Sequence, residues 1–190
     1  PQSDVKGKNT MLFNDDADLI QFEATLSTKA GQIAIAPGYL QKQWTENGRS
    51  YFHYVQDTKI QFFLSIISGN FDVFKDSVTI SNGNKINIEI YHHKNHKFNL
   101  RRFNTSLKDG LEYFSDSYGP YQFRQMRIIE FPRYSAFAQS FPNTVPYSEA
   151  FGWVGDFSDP DKFDYTYWVT AHELAHQWWG HQVVPNKTRG

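Results

Sequence analysis

The chain has 190 residues, enough for one domain or two small ones with a substantial buried core. Its net charge of -1 provides no field for a nucleic acid or an anionic membrane surface, so no nucleic acid partner is expected. The absence of cysteine excludes a disulfide framework and a cysteine-rich structural zinc site. The longest apolar run, residues 60–67, is too short to cross a bilayer, so the sequence predicts no membrane segment.

The first half of the chain has the alternating pattern and the turn signals of antiparallel β-structure. Residues 20–26 alternate between apolar and polar side chains, as a half-buried strand does. Asn47-Gly48 and Asn82-Gly83 are each flanked by β-rich runs, and Asn-Gly is a strong signal for a tight hairpin turn. Strands at this regular spacing are typical of a sheet layer or a sandwich rather than of crossover units.

From Asn99 the apolar period changes from that of a strand to that of a helix. Leucine and aromatic residues recur at steps of three and four up to Tyr118, and Gly119-Pro120 ends the predicted helix. A short strand at residues 126–129 and an extended piece at residues 135–140 follow. The second half is therefore predicted to combine helices and strands.

The two patterns predict an α+β fold with a domain boundary near residue 97. A β-rich domain would occupy residues 1–97, and a second domain would occupy residues 98–190. Because the chain begins at Pro1 and ends soon after its most informative motif, we expect it to be a piece of a longer polypeptide. The remainder of that polypeptide is then its expected partner.

The segment 171–180 contains His-Glu-x-x-His on a predicted helix. One helical turn separates His172 from His176, so both imidazoles lie on one face and can reach the same metal ion. Glu173 lies about 100° further round, which suits a general base that deprotonates water rather than a third ligand. The motif predicts a zinc-dependent hydrolase in which Zn²⁺ is held by His172 and His176 and Glu173 is catalytic.

The sequence around the motif predicts a helix that is well formed at both ends. Asp159-Pro160 supplies an N-cap and a first helical residue, and Gly180 supplies a left-handed stop. Between them an apolar stripe repeats at helical spacing, and the two histidines border it. This placement favours a cleft site over two ordinary surface histidines. A metal-free relative of a metalloenzyme is the alternative.

A catalytic zinc site generally uses three protein ligands, and only two are visible in the motif. No Asp or Glu follows Glu173, so the third ligand lies either earlier in the chain or beyond Gly190. Glu130, Glu149 and Asp156 are earlier candidates, but none has a recognised spacing. We therefore expect the chain alone to bind zinc weakly and to have no turnover.

The other histidines are interpreted without a metal. His92, His93 and His96 form a cluster, but alternation along a strand puts His92 and His93 on opposite faces, which favours a solvated connector. One class of zinc protease places a third histidine six residues after the second. Gln182 occupies that position here, so His181 is not predicted to be a ligand.

Residues 169–180, Val-Thr-Ala-His-Glu-Leu-Ala-His-Gln-Trp-Trp-Gly, resemble the zinc-helix signature of the aminopeptidase N-like metallopeptidases, a gluzincin family. The resemblance implies that His172 and His176 bind zinc and that Glu173 is the general base. It also implies a third ligand, a glutamate on the next helix, and further on a tyrosine that stabilises the oxyanion. Both would lie past the end of this chain.

The same resemblance implies an order of domains. Members of the family place a β-rich N-terminal domain before a thermolysin-like catalytic domain. Residues 1–97 would then be the C-terminal portion of the first domain, and residues 98–190 the N-terminal portion of the second. The chain would end before the third zinc ligand, and its substrate would be a peptide.

A departure from the family pattern concerns the substrate. The family binds the free α-amino group through a glutamate in a Gly-x-Met-Glu-Asn strand before the zinc helix. Aligning Tyr147-Ser148-Glu149 with the aromatic-x-Glu ending that follows this motif puts Ser140 in place of that glutamate. Gln139, Ser140 and Glu149 are the predicted substrate-binding residues, with Glu149 acting from a displaced position; an edge strand without contact to the substrate is the alternative. Aminopeptidase-type hydrolysis is expected in the intact protein; the alternatives are a zinc endopeptidase and a scaffold module without turnover.

Overall fold

The computed structural model describes Ser3 and residues 19–183. The ends of both predicted domains, residues 4–18 and 184–190, lie outside the described residues. The strands are β1 (Leu19–Ile20), β2 (Glu23–Lys29), β3 (Ile33–Ile35), β4 (Tyr39–Glu46), β5 (Arg49–Val55), β6 (Ile60–Gln61), β7 (Ile67–Gly69), β8 (Asp72–Thr79), β9 (Lys85–His92), β10 (Gln125–Phe131) and β11 (Thr144–Ser148). The helices are α1 (Leu100–Tyr118) and α2 (Tyr165–Ala175). Neither helix is long and apolar enough to cross a membrane.

The predicted hairpins are both present. Strands β2, β5 and β4 form an antiparallel sheet, and the β4–β5 turn has positive φ at Asn47 (49°) and Gly48 (72°). Positive φ at both central residues is the requirement of the tight hairpin turn that favours Asn-Gly. The β8–β9 hairpin turns at Gly83, which also has positive φ, at 85°. The predicted antiparallel, β-rich first half is confirmed.

The largest sheet has the order β11-β10-β9-β8 and is mixed. β8 and β9 are antiparallel, whereas β9, β10 and β11 run parallel to one another. Parallel neighbours need a crossover connection, and α1 supplies it between β9 and β10. The sequence analysis did not predict this crossover. The sheet joins strands from both sides of residue 97, and the division into two domains there stays a prediction.

Helix α1 joins the sheet to the motif helix. It ends at Tyr118 as predicted, and the following Gly119 has φ 107°. Its apolar face is buried in the main core, together with β-strand residues and Leu174 of α2. Gly110 allows the two helices to approach closely, because a Cβ at this position would lie 2.7 Å from Leu174 Cδ2. The motif helix is therefore seated directly on α1.

The predicted start of the motif helix is wrong. Asp159-Pro160 belongs to a turn, in which the Asp161 backbone N–H donates to Asp159 Oδ1 (3.1 Å). The helix begins at Tyr165, where the Asp164 side chain accepts from the Tyr167 backbone N–H (2.9 Å). Asp164 is also paired with Arg102 of α1, a tertiary contact that local capping signals do not report.

A charged contact fixes α1 on the sheet and generates a pH-dependent prediction. Asp76 of β8 accepts from Lys108 Nζ (2.6 Å) and Asn104 Nδ2 (2.7 Å) of α1. The contact with Lys108 is the main cause that lowers the pKa of Asp76 from 3.8 to about 2. A carboxyl with a lowered folded-state pKa stabilises the fold above its unfolded pKa, and this contribution is lost as the pH falls through about 2.

We expect Asp76→Asn to lower the free energy of unfolding at pH 7, by no more than about 1 kcal/mol because solvent screens this partly exposed pair. Urea unfolding should show the difference from wild type shrinking between pH 4 and pH 2. The control is Asp72→Asn, since Asp72 lies 3.8 Å from Lys97 and both side chains are mostly exposed. A deficit for Asp76→Asn that is as large at pH 2 as at pH 7 would contradict the assignment.

Candidate metal and catalytic site

The two histidines of the motif converge. His172 Nε2 and His176 Nε2 lie 3.2 Å apart, with their rings at 88°. His176 Nδ1 lies 3.1 Å from the Trp179 backbone oxygen, so Nδ1 carries the proton and Nε2 presents its lone pair toward His172. Two nitrogens that each bind a tetrahedral zinc ion at about 2.1 Å lie roughly 3.4 Å apart. The arrangement of the two imidazoles therefore fits a zinc ion.

Glu173 is the buried member of the motif, with 7% of its surface exposed. Burial raises its pKa, while His176, His172 and a hydrogen bond from the Ser140 backbone oppose that rise. The second carboxylate oxygen, Oε2, is buried and has no hydrogen-bond partner in the protein. A buried oxygen without a hydrogen-bond donor costs free energy. Glu173 Oε2 therefore has an open position for the hydrogen of a water molecule, as a general base needs.

Within residues 19–183, no third His, Asp, Glu or Cys joins the motif histidines in a group of potential ligands. Of the earlier candidates, Glu130 and Glu149 lie together in a different group with His96. Asp156 accepts a hydrogen bond from the Ser158 hydroxyl. His181 is not part of a group of potential ligands with the two motif histidines either. Its Nε2 lies 3.3 Å from the Ser140 backbone oxygen, and burial lowers its pKa to about 4.

The segment 137–141 lies along β11 as an antiparallel edge. The Gln139 backbone N–H donates to Pro146 O (3.1 Å), and the Ser148 backbone N–H donates to Phe137 O (3.0 Å). This edge brings the Ser140 backbone next to Glu173. Ser140 is only 1% exposed, however, and its hydroxyl accepts from Gln177 Nε2 (2.7 Å).

The other two predicted substrate-binding residues differ from Ser140 in position. Gln139 is half-buried on the same edge, with Nε2 3.4 Å from the Ser140 backbone oxygen. Glu149 follows β11 and accepts from the Arg133 backbone N–H (3.1 Å). Gln139 thus borders the edge beside the motif, whereas the side chain of Glu149 belongs to the group with His96. Contact of these residues with a substrate stays a prediction.

The sequence analysis missed Gln177, which joins the motif helix to the edge. Gln177 is fully buried, directly after His176. Its Oε1 accepts from the Asn143 backbone N–H (2.9 Å), and its Nε2 also donates to Phe141 O (2.9 Å). A glutamine after a histidine carries no signal by itself, because its partners lie more than thirty residues away.

The turn that Gln177 contacts is part of a buried polar network. Asn143 has positive φ (52°), and its Oδ1 accepts from Arg127, whose side chain is almost fully buried. Arg127 also donates to Ala36 O (2.9 Å) and to Thr144 Oγ1 (3.1 Å). Asn143 Nδ2 in turn donates to Gln56 Oε1 (3.3 Å). The network links the first β-sheets to the residues next to the motif.

This geometry can be compared with that of known proteins. No protein-family model matches the chain. Among solved structures, aminopeptidase A of Legionella pneumophila, in complex with aspartic acid, superposes with a TM-score of 0.76 at 16% identity. That match covers 88% of this chain and 20% of the other. An M1 zinc metallopeptidase from Deinococcus radiodurans superposes with a TM-score of 0.67 at 18% identity, covering 90% of this chain and 36% of the other.

The chain has the fold of the M1 zinc aminopeptidases over these residues. The resemblance stated from the motif is thus confirmed at the level of the fold. A curated relative, the leucyl aminopeptidase of Saccharolobus solfataricus, is 24% identical over 175 residues. That match covers 90% of this chain and 22% of the relative. The chain therefore spans about a fifth of the length of this relative.

The role of Gln177 can be tested by removing its hydrogen bonds. Gln177→Leu leaves the buried Asn143 N–H and Ser140 hydroxyl without their partner, and each such loss costs about 1–3 kcal/mol. We expect urea unfolding to show that the free energy of unfolding falls by at least about 2 kcal/mol. The control is Gln122→Leu, since Gln122 is exposed and donates to the Gln177 backbone oxygen (3.3 Å). Equal losses in the two variants would show that the network does not matter.

Proposed function

We propose that the polypeptide carrying this chain is a zinc-dependent peptidase of aminopeptidase type. The observation that carries the proposal is the pair of Nε2 atoms 3.2 Å apart, next to the buried Glu173 carboxylate, whose Oε2 has no hydrogen-bond partner. The fold supports it, because the solved structures that share it are named aminopeptidases or zinc metallopeptidases.

In this proposal His172 and His176 hold the ion, with a third ligand from the rest of the polypeptide. A zinc ion held there supplies Lewis-acid polarisation of the scissile carbonyl and acidifies the attacking water. Glu173 takes the proton from that water and delivers it to the nitrogen of the leaving amine. Burial of Glu173, which raises its pKa, suits a group that has to hold a proton between these two steps. The hydrogen bond between His176 and Trp179 keeps the imidazole oriented.

The base assignment is tested by Glu173→Gln in the full natural polypeptide. Glutamine keeps the size of the side chain but cannot take a proton, so we expect kcat to fall by about 10²–10⁴-fold with zinc content unchanged. The control is Glu112→Gln, an exposed residue on the outer side of α1, which should leave kcat unchanged. Full activity of Glu173→Gln would rule out this mechanism.

A zinc endopeptidase is the second candidate, and the buried Ser140 favours it. In the alignment with the family motif, Ser140 stands at the position of the amine-binding glutamate, and its neutral side chain is buried and accepts a hydrogen bond from Gln177. The proposed aminopeptidase activity therefore needs a carboxylate from elsewhere to bind the free amine. Peptides with a free α-amino group and their N-acetylated forms separate the two candidates.

We expect the free peptides to be cleaved and the N-acetylated peptides to be resistant, because acetylation removes the positive charge that an aminopeptidase binds. Comparison of kcat/KM for matched peptide pairs measures this difference. Equal cleavage of both forms would show an endopeptidase instead. A purified protein with neither turnover nor stoichiometric zinc would identify the scaffold module.

A further inference from the structure

A second group of potential metal ligands lies away from the His-Glu-x-x-His motif. One ligand atom each from His96, Glu130 and Glu149 lies within 4.8 Å of the other two. Within the described part of the chain, it is the one group of three such residues with this spacing. No residue of the motif belongs to it, so this group is distinct from the proposed catalytic site.

The topology of the sheet explains why these residues meet. Strands β9, β10 and β11 are parallel neighbours, and their carboxyl ends lie at the same edge of the sheet. His96 follows β9, Glu130 is the last residue but one of β10, and Glu149 directly follows β11. The carboxyl edge of parallel strands is where such sheets commonly bind ligands. Three successive strands each contribute one side chain with an N or O donor.

The electrostatics of the group call for a cation. Glu130 is 4% exposed, and a buried carboxylate is costly unless a positive group accompanies it. Glu149 brings a second negative charge close to it. Among the described residues, no Lys or Arg side-chain nitrogen lies within 4.0 Å of either carboxylate, although the Arg133 backbone N–H donates to Glu149 Oε1 (3.1 Å). The ion-pair partner of Glu130 is His96. Two carboxylates therefore share one histidine.

The surroundings fix the group and leave access to it. The His93 backbone N–H donates to Glu130 Oε2 (2.7 Å) and holds that carboxylate in place. His96 Nδ1 is in direct contact with Glu130 Oε1. A cavity of about 220 Å³ lined by His96, Arg133, Glu149 and Val154 opens beside them. A second cavity, of about 260 Å³, is lined in part by Glu130 and Glu149.

We propose that His96, Glu130 and Glu149 form a second metal site, which binds a divalent transition-metal ion of the Zn²⁺ class. One imidazole nitrogen and two carboxylate oxygens are a donor set that zinc accepts. The ion takes the place of the hydrogen bond between His96 Nδ1 and Glu130 Oε1, and rotation of the partly exposed His96 side chain gives it room. Glu149 then coordinates the metal ion and does not bind the free amine of a substrate.

The test measures zinc per chain in the full natural polypeptide after dialysis against micromolar Zn²⁺. His172→Ala with His176→Ala removes the proposed catalytic ion and serves as the background. In that background we expect Glu149→Gln and His96→Ala each to lower the zinc content by one ion per chain. Glu130→Gln is avoided because Glu130 lies in a fully buried strand, where a change can disturb folding.

The matched control is His53→Ala in the same background. His53 lies 2.8 Å from Glu23, a surface histidine–glutamate pair without a second carboxylate, and its loss should leave the zinc content unchanged. Unchanged zinc in both Glu149→Gln and His96→Ala would overturn the proposal, as would an equal loss in His53→Ala. Failure of the proposed function gives a different result, in which the background substitutions remove no zinc from the wild-type protein.

Anomalous diffraction at the zinc edge locates the ion independently of stoichiometry. We expect a peak between the side chains of His96, Glu130 and Glu149 in crystals of the background variant grown with Zn²⁺. Zinc should also raise the Tm of the background variant and not that of the variant with Glu149→Gln, because an ion that binds only the folded state stabilises it. No peak in this group, or an equal shift in Tm for both variants, would contradict the site.

Discussion

The position of the motif helix depends on buried hydrogen bonds made by a single turn, residues 141–144. Its Asn143 is fully buried and hydrogen-bonds to Gln177 on one side and to Arg127 on the other. Each buried polar atom without a hydrogen-bond partner costs free energy. Few relative positions of the turn, the helix and the first β-sheets allow all of these hydrogen bonds to form at once. Specificity of placement, more than stability, follows from such a network.

That placement determines the chemistry of the motif. The helix ends at Ala175, and the chain continues in turns that direct the Trp179 backbone oxygen to His176 Nδ1. The lone pair of Nε2 is thereby left facing His172, an arrangement that repels unless a cation or proton lies between the two nitrogens. Glu173, one residue along, is buried by the edge that carries Ser140. The convergent nitrogens and the buried carboxylate therefore arise from the same local packing.

Local signals predicted much of the fold, and contacts distant in sequence account for what was missed. The Asn47-Gly48 hairpin and the end of α1 at Gly119 were predicted, because positive φ and the end of a helix depend on the residues at that position in the sequence. The start of α2 was predicted at Asp159, yet the cap is Asp164, which Arg102 of α1 holds. Capping preference alone does not choose between two aspartates five residues apart.

The histidines after β9 illustrate the same limit. They were interpreted as a solvated connector, because alternation separates adjacent side chains. His92 is instead buried (3% exposed), and His96 contacts a glutamate of the neighbouring strand. That contact depends on the parallel pairing of β9 with β10, which the sequence analysis did not predict. A group of potential ligands from three strands has no characteristic spacing in the sequence, whereas two histidines on one helix are always separated by a fixed number of residues.

The edge beside the motif bears on the proposed choice between exopeptidase and endopeptidase. A glutamate at position 140 would need space for a longer side chain and a partner for its charge, but this side chain is enclosed and faces the Gln177 amide. The same amide holds Phe141 and Asn143, so the serine is part of the support of the motif helix. Recognition of a positive amine needs a negative group close to it, and a serine hydroxyl carries no charge. Exopeptidase action by this protein therefore requires a carboxylate that lies off this edge, whereas cleavage inside a peptide requires none.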